Sequence, residues 1–153
     1  MADKLVVITG TNASGKSGLG IELARKYGAE IISADSRQVY EGLDLGSGKV
    51  TKEEMLGVPH HTLDVAKPND FFSLVDFQQQ AYEAIDNLLA QGTKAFLVGG
   101  TGLYVNAVVD GYNIKLQNPD MDLRKELNAK TREELIEIIR SKNPQALEGL
   151  DLN

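Results

Sequence analysis

The chain has 153 residues, of which 42% are hydrophobic and 25% are charged, as in an ordinary soluble globular protein. It contains no cysteine, which excludes disulfides, thiolate metal sites and a thiol nucleophile, and no apolar run approaches the roughly 18 residues of a membrane span. The net charge of −6 argues against a large nucleic-acid-binding face, and the absence of a signal-peptide pattern predicts a cytoplasmic protein.

Buried strands alternate with amphipathic helices in the first two thirds of the chain. Three apolar or β-branched runs predict strands: residues 4–9, expected to be fully buried, Glu30–Ala34, and Lys94–Val98, expected to be buried. Three helices are expected: Ser17–Tyr27, one that follows a capping box at Ser73–Asp76 and stops at Gly92, and one that runs through about Val109. The predicted fold class is therefore α/β, a P-loop NTPase-like parallel sheet with helices on both faces.

The last third of the sequence has a helical pattern without strands. Asn118-Pro119 and Asn143-Pro144 have the composition of a helix cap followed by a first helical residue, and Thr131–Glu134 is a second capping box. We therefore expect a P-loop α/β core over residues 1–115 and a short all-helical C-terminal segment over residues 116–153.

A phosphate-binding loop follows the first predicted strand. Residues 10–17 match the pattern Gly-x-x-x-x-Gly-Lys-[Ser/Thr] in full: Gly10, Thr11, Asn12, Ala13, Ser14, Gly15, Lys16 and Ser17. The glycines let backbone N–H groups point at phosphate oxygens, the next helix adds its positive N-terminal end, and Lys16 adds a full charge. Ser17 carries the hydroxyl that usually coordinates Mg²⁺ in such loops. The motif predicts phosphate binding but does not name the reaction.

Further polar segments follow the other predicted strands, at the edge where parallel sheets bind ligands. Asp35 is either a proton acceptor, a water-mediated Mg²⁺ ligand or a turn aspartate, and Gly99–Gly102 is either a second backbone nest or a tight turn. Asp44–Lys49 is expected to be a flexible loop whose lysine either reaches a ligand or lies on the plain surface. Adjacent side chains of the extended pair His60-His61 point to opposite sides, so no zinc site is expected there.

Four segments together resemble, in order and spacing, the successive motifs of the tRNA dimethylallyltransferase family. They are Gly10–Ser17, Asp35–Gly46, Gly57–His61 and Gly99–Tyr104. The second and fourth are more specific than the P-loop, and the resemblance covers about residues 4–124. Thr11, Asn12 and Ser17 depart conservatively from the family's usual loop, Gly-Pro-Thr-Ala-Ser-Gly-Lys-Thr, and the family's members are about twice as long as this chain.

The resemblance implies transfer of a dimethylallyl group from dimethylallyl diphosphate to N6 of an adenosine in the tRNA anticodon loop. It implies that the P-loop, with Lys16 and Mg²⁺ bound at Ser17, stabilises the leaving pyrophosphate, and that Asp35 accepts the N6 proton. Thr101 would contact both the diphosphate and the target nucleotide. The resemblance further implies tRNA contacts by a set of six residues: Asp35, Ser36, Arg37, Gln38, Thr101 and Arg124.

Other functions remain compatible with the same residues. The chain could prenylate a free adenine nucleotide, or hold a diphosphate without turnover. A small-molecule P-loop kinase would instead consume ATP, with Asp35 as the base and the helical tail as a lid. The Gly99–Tyr104 motif argues against the kinase.

Overall fold

The computed structural model describes residues 5–114 and 120–149. The chain forms two compact units, Met1–Ile114 and Lys115–Asn153. The predicted strand start at Lys4, the predicted helix cap at Asn118-Pro119 and the predicted domain boundary after residue 115 lie outside the described residues.

A parallel sheet forms the centre of the first unit. Its four strands are β1 (Val6–Thr9), β2 (Ala29–Ser33), β3 (His60–His61) and β4 (Lys94–Gly99), in the spatial order β1-β4-β2-β3. All three strand pairs are parallel, and Ile31 of β2 is aligned with both Phe96 and His60. The carboxyl ends of parallel strands share one edge, so the segments that follow these strands meet there.

Three helices cover the two faces of this sheet: α1 (Lys16–Tyr27), α2 (Leu74–Ala90) and α3 (Gly102–Val109). The core is accordingly split into two clusters, because successive side chains of a strand point to opposite faces. Ile31 packs in the cluster of α1, whereas Ile32 packs in the cluster of α2 and α3. The predicted α/β class, with helices on both faces of a parallel sheet, is confirmed.

The starts and stops of the helices follow local chemistry that the sequence shows. Ser73 and Asp76 form the predicted capping box at the start of α2, and α1 ends at Gly28, which adopts a left-handed φ of 62°. Phe77 of α2 stacks on Tyr104 of α3, with ring centroids 3.9 Å apart and an interplanar angle of 16°. This aromatic pair joins the two helices over one face of the sheet.

The prediction that the first strand is fully buried is wrong. Val6 and Val7 are 40% and 36% exposed, whereas every residue of β4 except Lys94 is buried. Among the described residues β1 pairs only with β4, so it lies at an end of the strand order. The β-branched composition of β1 therefore indicates a strand but does not establish that both its sides are covered.

The second unit is helical over the described residues 120–149, as predicted. It contains α4 (Met121–Asn128), α5 (Arg132–Lys142) and a 3₁₀ helix over Pro144–Leu147. The predicted Thr131–Glu134 capping box begins α5, and Asp120 caps α4 by accepting a hydrogen bond from the Leu123 N–H at 2.8 Å. Within the parts of the chain that the structure describes, no helix combines the length and apolarity needed to cross a membrane.

Candidate functional site

A cavity of about 790 Å³ lies at the carboxyl edge of the sheet, within the size range of small-molecule sites. Four segments that surround it carry most of the predicted site residues: Asn12–Gly18, Asp35–Gln38, Gly46–Gly48 and Gly99–Thr101. Ile31, Val50, Val98 and His60 contribute the less polar part of the lining. The topology thus brings the P-loop, Asp35 and Thr101 to one cavity, although they are far apart in the sequence.

The P-loop wall presents backbone rather than packed side chains. Gly15 precedes α1 with a left-handed φ of 83° and no side-chain cap, so the first N–H groups of the helix are not satisfied by a capping side chain. Such a helix start attracts anions. Lys16 Nζ donates to the Thr11 carbonyl at 2.6 Å, which holds the ammonium group across the loop. Gly10 and Thr11, predicted to bind diphosphate, are not among the residues that line the cavity.

Asp35 is a turn aspartate and also lines the cavity. Its Oδ1 accepts hydrogen bonds from the backbone N–H groups of Arg37 at 2.9 Å and Gln38 at 3.3 Å. These bonds fix the carboxylate at the end of β2, as Asx turns do. Within the described residues its second oxygen has no hydrogen bond, so that oxygen is available to accept a proton. Asp35 is therefore a turn aspartate, and this geometry is also compatible with the other two interpretations, a proton acceptor and a water-mediated Mg²⁺ ligand.

Thr101 is bonded to the segment that carries Asp35. Its Oγ1 accepts a hydrogen bond from the Ser36 N–H at 3.0 Å, and its own N–H donates to the Ala34 carbonyl at 3.1 Å. Gly99 makes this approach possible, because a Cβ atom there would lie 2.2 Å from the Ala34 oxygen. The Gly99–Gly102 segment is thus a tight strand-to-helix turn that also places the Thr101 hydroxyl beside Ser36.

Gly100 brings the end of β4 against the P-loop. A Cβ atom at this position would lie 3.1 Å from Asn12 Oδ1 and 3.5 Å from Lys16 Nζ. The tip of the P-loop lysine and the turn that precedes Thr101 are therefore close neighbours. This contact joins the P-loop side of the cavity to the side that carries Asp35.

The Asp44–Lys49 loop is held by its lysine, and the prediction of a flexible loop whose lysine reaches a ligand is wrong. The Lys49 side chain is only 4% exposed, and its Nζ pairs with Asp44 at 2.9 Å and donates to the Tyr40 carbonyl at 2.8 Å. It also pairs with Asp64. Burial lowers the pKa of Lys49, but the hydrogen bonds and charges of Asp64 and Asp44 outweigh it and leave that pKa above its ordinary value. Lys49 therefore anchors the wall formed by Gly46–Gly48.

His60 is a cavity residue that the sequence reasoning missed. Its Nδ1 lies 2.8 Å from the Val58 carbonyl oxygen, so Nδ1 carries the hydrogen and donates it. Burial lowers the pKa of His60, the Val58 hydrogen bond opposes this shift, and the neighbouring His61 adds to it. His61 instead contacts Glu30, with Nε2 and Oε2 2.7 Å apart. The alignment of the short strand β3 with β2 brings His60 to the cavity, and the sequence pattern did not reveal this alignment.

The predicted tRNA contact Arg124 is an exposed residue of α4 in the second unit. Its role remains a prediction. Ser36, Arg37 and Gln38 all line the cavity beside Asp35. The Gln38 side-chain amide lies 3.4 Å from the carbonyl oxygens of Ser47 and Gly48, and this contact joins the predicted base-binding segment to the Lys49-anchored wall.

Together these features define a P-loop α/β protein whose P-loop shares one cavity with a fixed carboxylate. Comparison with known families then assigns this P-loop α/β protein to a particular family. Residues 38–153 match the IPP transferase family and residues 3–70 match the isopentenyl transferase family. The chain belongs to the IPP transferase family, which confirms the resemblance inferred from its four motifs.

Curated relatives and solved structures agree with this assignment. The chain is 47% identical to the tRNA dimethylallyltransferase of Oceanobacillus iheyensis over 96% of its own length and 44% of the relative's, and 44% identical to that of Lactococcus lactis over 95% and 51%. A tRNA isopentenylpyrophosphate transferase from Bacillus halodurans has 42% identity, a TM-score of 0.73, and coverage of 99% of this chain and 51% of that one. A eukaryotic dimethylallyltransferase acting on tRNA has 26% identity and a TM-score of 0.80, over 98% of this chain and 38% of that one. The chain thus spans about half the length of the curated relatives it matches.

Proposed function

We propose that this chain transfers a dimethylallyl group from dimethylallyl diphosphate to N6 of an adenosine in the tRNA anticodon loop. The observation that carries the proposal is the shared cavity: the P-loop lines one side of it, and Asp35 with Thr101 lines the other. A diphosphate held at the first side and an amine presented to the second would place a nucleophile, an electrophilic carbon and a proton acceptor together.

The diphosphate would bind to the start of α1. The N–H groups of the first helical turn and the ammonium group of Lys16 supply positive charge where the leaving pyrophosphate gains negative charge. Ser17 and Asp35 line the same cavity and offer oxygen ligands, which suit Mg²⁺ that is otherwise held by phosphate and water. When bound, Mg²⁺ would neutralise charge on the diphosphate.

The reaction at the other end of the cavity would be a substitution at the allylic carbon. The adenosine N6 forms a bond to that carbon as the bond from carbon to the diphosphate oxygen breaks. Asp35 would take the N6 proton on the carboxylate oxygen that the backbone of Arg37 and Gln38 leaves unbonded. Thr101, fixed by the Ser36 N–H, would orient the reacting amine.

Two further features of the described residues support these substrates. Ile31, Val50 and Val98 give the cavity an apolar part that suits the five-carbon prenyl group. Ser36, Arg37 and Gln38 would contact a base flipped out of the anticodon loop, and Arg124 would contact the tRNA backbone. With tRNA as the acceptor, the protein would act in the cytoplasm.

Prenyl transfer to two acceptors tests the proposal. The purified chain is incubated with dimethylallyl diphosphate and Mg²⁺, with unmodified tRNA or AMP in separate reactions, and mass spectrometry detects the added prenyl group. Asp35→Asn should lower the rate by about 10²-fold or more, which is a larger effect than its effect on diphosphate binding. Lys16→Ala should weaken diphosphate binding by about tenfold to a hundredfold. Asp86→Asn and Lys52→Ala, on exposed residues outside the cavity, are the matched controls.

Each alternative gives a different result in the same experiment. Product on AMP alone would identify an adenine-nucleotide prenyltransferase. ATP consumption that depends on an acceptor, with no prenyl transfer, would favour a kinase. A folded chain that binds the diphosphate and gives no product on either acceptor would overturn the proposal in favour of diphosphate binding without turnover.

A further inference from the structure

The 3₁₀ turn over Leu45–Ser47 places one large apolar side chain entirely in solvent. Leu45 is completely exposed, whereas Phe71, the next most exposed large apolar residue among those that the structure describes, is 79% exposed. A partly exposed leucine needs no explanation, because much of the surface of a folded protein is apolar. Complete exposure of a leucine on a turn that is held firmly in place indicates that the side chain contacts something other than this chain.

Contacts on both sides of Leu45 hold the turn. The Lys49 N–H donates to the Asp44 carbonyl at 3.1 Å, and the buried Lys49 ammonium group pairs with the Asp44 carboxylate at 2.9 Å. The Ser47 hydroxyl donates to the Leu43 carbonyl. The backbone that carries Leu45 is therefore ordered before any ligand arrives, so contact with this side chain costs little conformational entropy.

Leu45 lies beside the part of the cavity that would receive the acceptor base. The next three residues, Gly46–Gly48, line the cavity, although Leu45 itself does not. Gln38 belongs to the predicted base-binding segment and reaches this turn, because its side-chain amide lies 3.4 Å from the carbonyl oxygens of Ser47 and Gly48. Leu45 is thus on the rim of the cavity, next to that segment.

We propose that Leu45 inserts into the tRNA anticodon loop, in the space that the target adenosine leaves when it flips out of the base stack. An adenosine in a stacked loop reaches Asp35 only after it leaves the stack, and unstacking costs free energy. Leucine and other apolar side chains fill the space between separated bases in other nucleic-acid complexes. Contact with the bases removes the Leu45 side chain from water and offsets part of this cost. The inference rests on the proposed function and adds to it the residue that stabilises the flipped state.

The position of Leu45 favours nucleic-acid bases over a protein partner. A protein segment packed on Leu45 would lie over the rim of the cavity, where the acceptor has to enter. The anticodon loop, in contrast, must lie at this rim when its adenosine reaches Asp35. Arg37 is exposed and lines the same cavity, so it supplies positive charge for the phosphates, and Asp44 beside Leu45 is paired with Lys49.

Base flipping can be measured without prenyl transfer. An RNA stem-loop with the sequence of an unmodified anticodon arm carries 2-aminopurine in place of the target adenosine, and its fluorescence rises when this base leaves the stack. We expect the full chain to raise the fluorescence, and Leu45→Ser to lower the equilibrium constant for flipping about tenfold or more, as loss of one buried leucine side chain would. Leu45→Met, of similar volume, should keep most of the rise. Leu56→Ser makes the same change at a 57% exposed leucine that does not line the cavity, and it should have no effect.

Free AMP gives a second readout, because it has no base stack to leave. Leu45→Ser should lower kcat/KM for tRNA about tenfold or more and keep kcat/KM for AMP within about twofold of the parent value. A residue that merely stabilised the fold would affect both acceptors equally. Pyrophosphate binding at the P-loop, measured by calorimetry, shows that each variant is folded.

The outcomes separate this inference from the proposed function. No fluorescence rise with the parent chain, an unchanged rise with Leu45→Ser, an equal loss with Leu56→Ser, or equal losses of tRNA and AMP prenylation would each overturn the inference. A rise that depends on Leu45, from a chain that transfers no prenyl group, would support the inference and contradict the proposed function. Prenyl transfer to tRNA that is unchanged by Leu45→Ser would do the reverse.

Discussion

The two walls of the cavity are built in different ways. The P-loop wall is exposed at almost every residue, and its side-chain hydrogen bonding is that of Lys16 to a carbonyl five residues away. The opposite wall is assembled from long-range contacts: Thr101 holds Ser36 across 65 residues of sequence, and Lys49 holds Asp64 across 15. One wall is a local backbone feature, and the other is a product of the tertiary fold.

This difference separates binding from positioning. The P-loop needs only its glycine-permitted backbone, a helix start and a lysine to attract phosphate, and the ligand itself can satisfy the free N–H groups. The opposite wall must hold Asp35 and Thr101 at fixed places before any ligand arrives, as a reacting group requires. Substitutions in the opposite wall should therefore reduce folding stability, whereas substitutions at the tip of the P-loop should reduce ligand affinity.

Gly99→Ala should disrupt the cavity wall that carries Asp35 and Thr101, and it should have the largest effect on stability. Its Cβ would lie 2.2 Å from the Ala34 oxygen and 2.7 Å from the Ala34 Cα, and neither backbone atom can move without displacing Asp35. We expect the free energy of unfolding to fall by about 3 kcal/mol or more. Urea unfolding followed by circular dichroism measures the change.

Gly102→Ala is the matched control for this substitution. It lies in the same motif, at the first residue of α3, and a Cβ there meets no atom within 4 Å. Alanine also favours helices over glycine by up to about 1 kcal/mol, so the variant should be as stable as the parent or more so. Equal losses at both positions would show that the close approach of Gly99 to Ala34 does not hold this wall.

The fold could be predicted from the sequence because its signals are local. The alternation of strands and helices, the Ser73–Asp76 and Thr131–Glu134 capping boxes, and the glycine that ends α1 all act within a few residues. The burial of β1 could not be predicted, because it depends on which strands lie beside it. The two-residue strand β3 is too short to show a period of its own.

The residues of the candidate site could be predicted from the sequence, but the contacts that hold them in place could not. The motifs identified Lys16, Asp35 and Thr101, and the carboxyl-edge rule placed them together. The role of Lys49 was missed because a lysine that follows Gly-Ser-Gly has the composition of a surface loop, and its partner Asp64 follows β3. His60 was missed because its place depends on the register of β3 with β2. Both depend on contacts that no local pattern shows.

Lys49→Met should lower the free energy of unfolding less than Gly99→Ala does. Methionine keeps the apolar stem but leaves Asp44, Asp64 and the Tyr40 carbonyl without their shared partner. Both carboxylates are at least half exposed and can regain water, so we expect a loss of about 1–3 kcal/mol. Because the pKa of Lys49 is raised, its contribution is complete below pH of about 10 and is lost only as the pH rises through the raised pKa.

The matched control for Lys49 is Lys52→Met, at an exposed lysine nearby. It should change the free energy of unfolding by no more than about 0.5 kcal/mol. Amide exchange of Gly46–Gly48 adds a local readout, since these amides should lose protection in the Lys49 variant alone. An unchanged exchange rate in a destabilised Lys49→Met variant would mean that the lysine stabilises the core without anchoring the wall.

His60 should give the smallest effect, and it appears only as a dependence on pH. Burial lowers the pKa of His60 below its ordinary value of about 6.5, so the folded chain resists protonation more than the unfolded chain does. The stability associated with neutral His60 is therefore present above about pH 6.5 and is lost as the pH falls through the lowered pKa. His60→Gln should remove this loss, so the parent should weaken more than the variant between pH 7.5 and pH 5. Parallel curves in the two urea-unfolding series would show that burial of His60 carries no proton-linked cost.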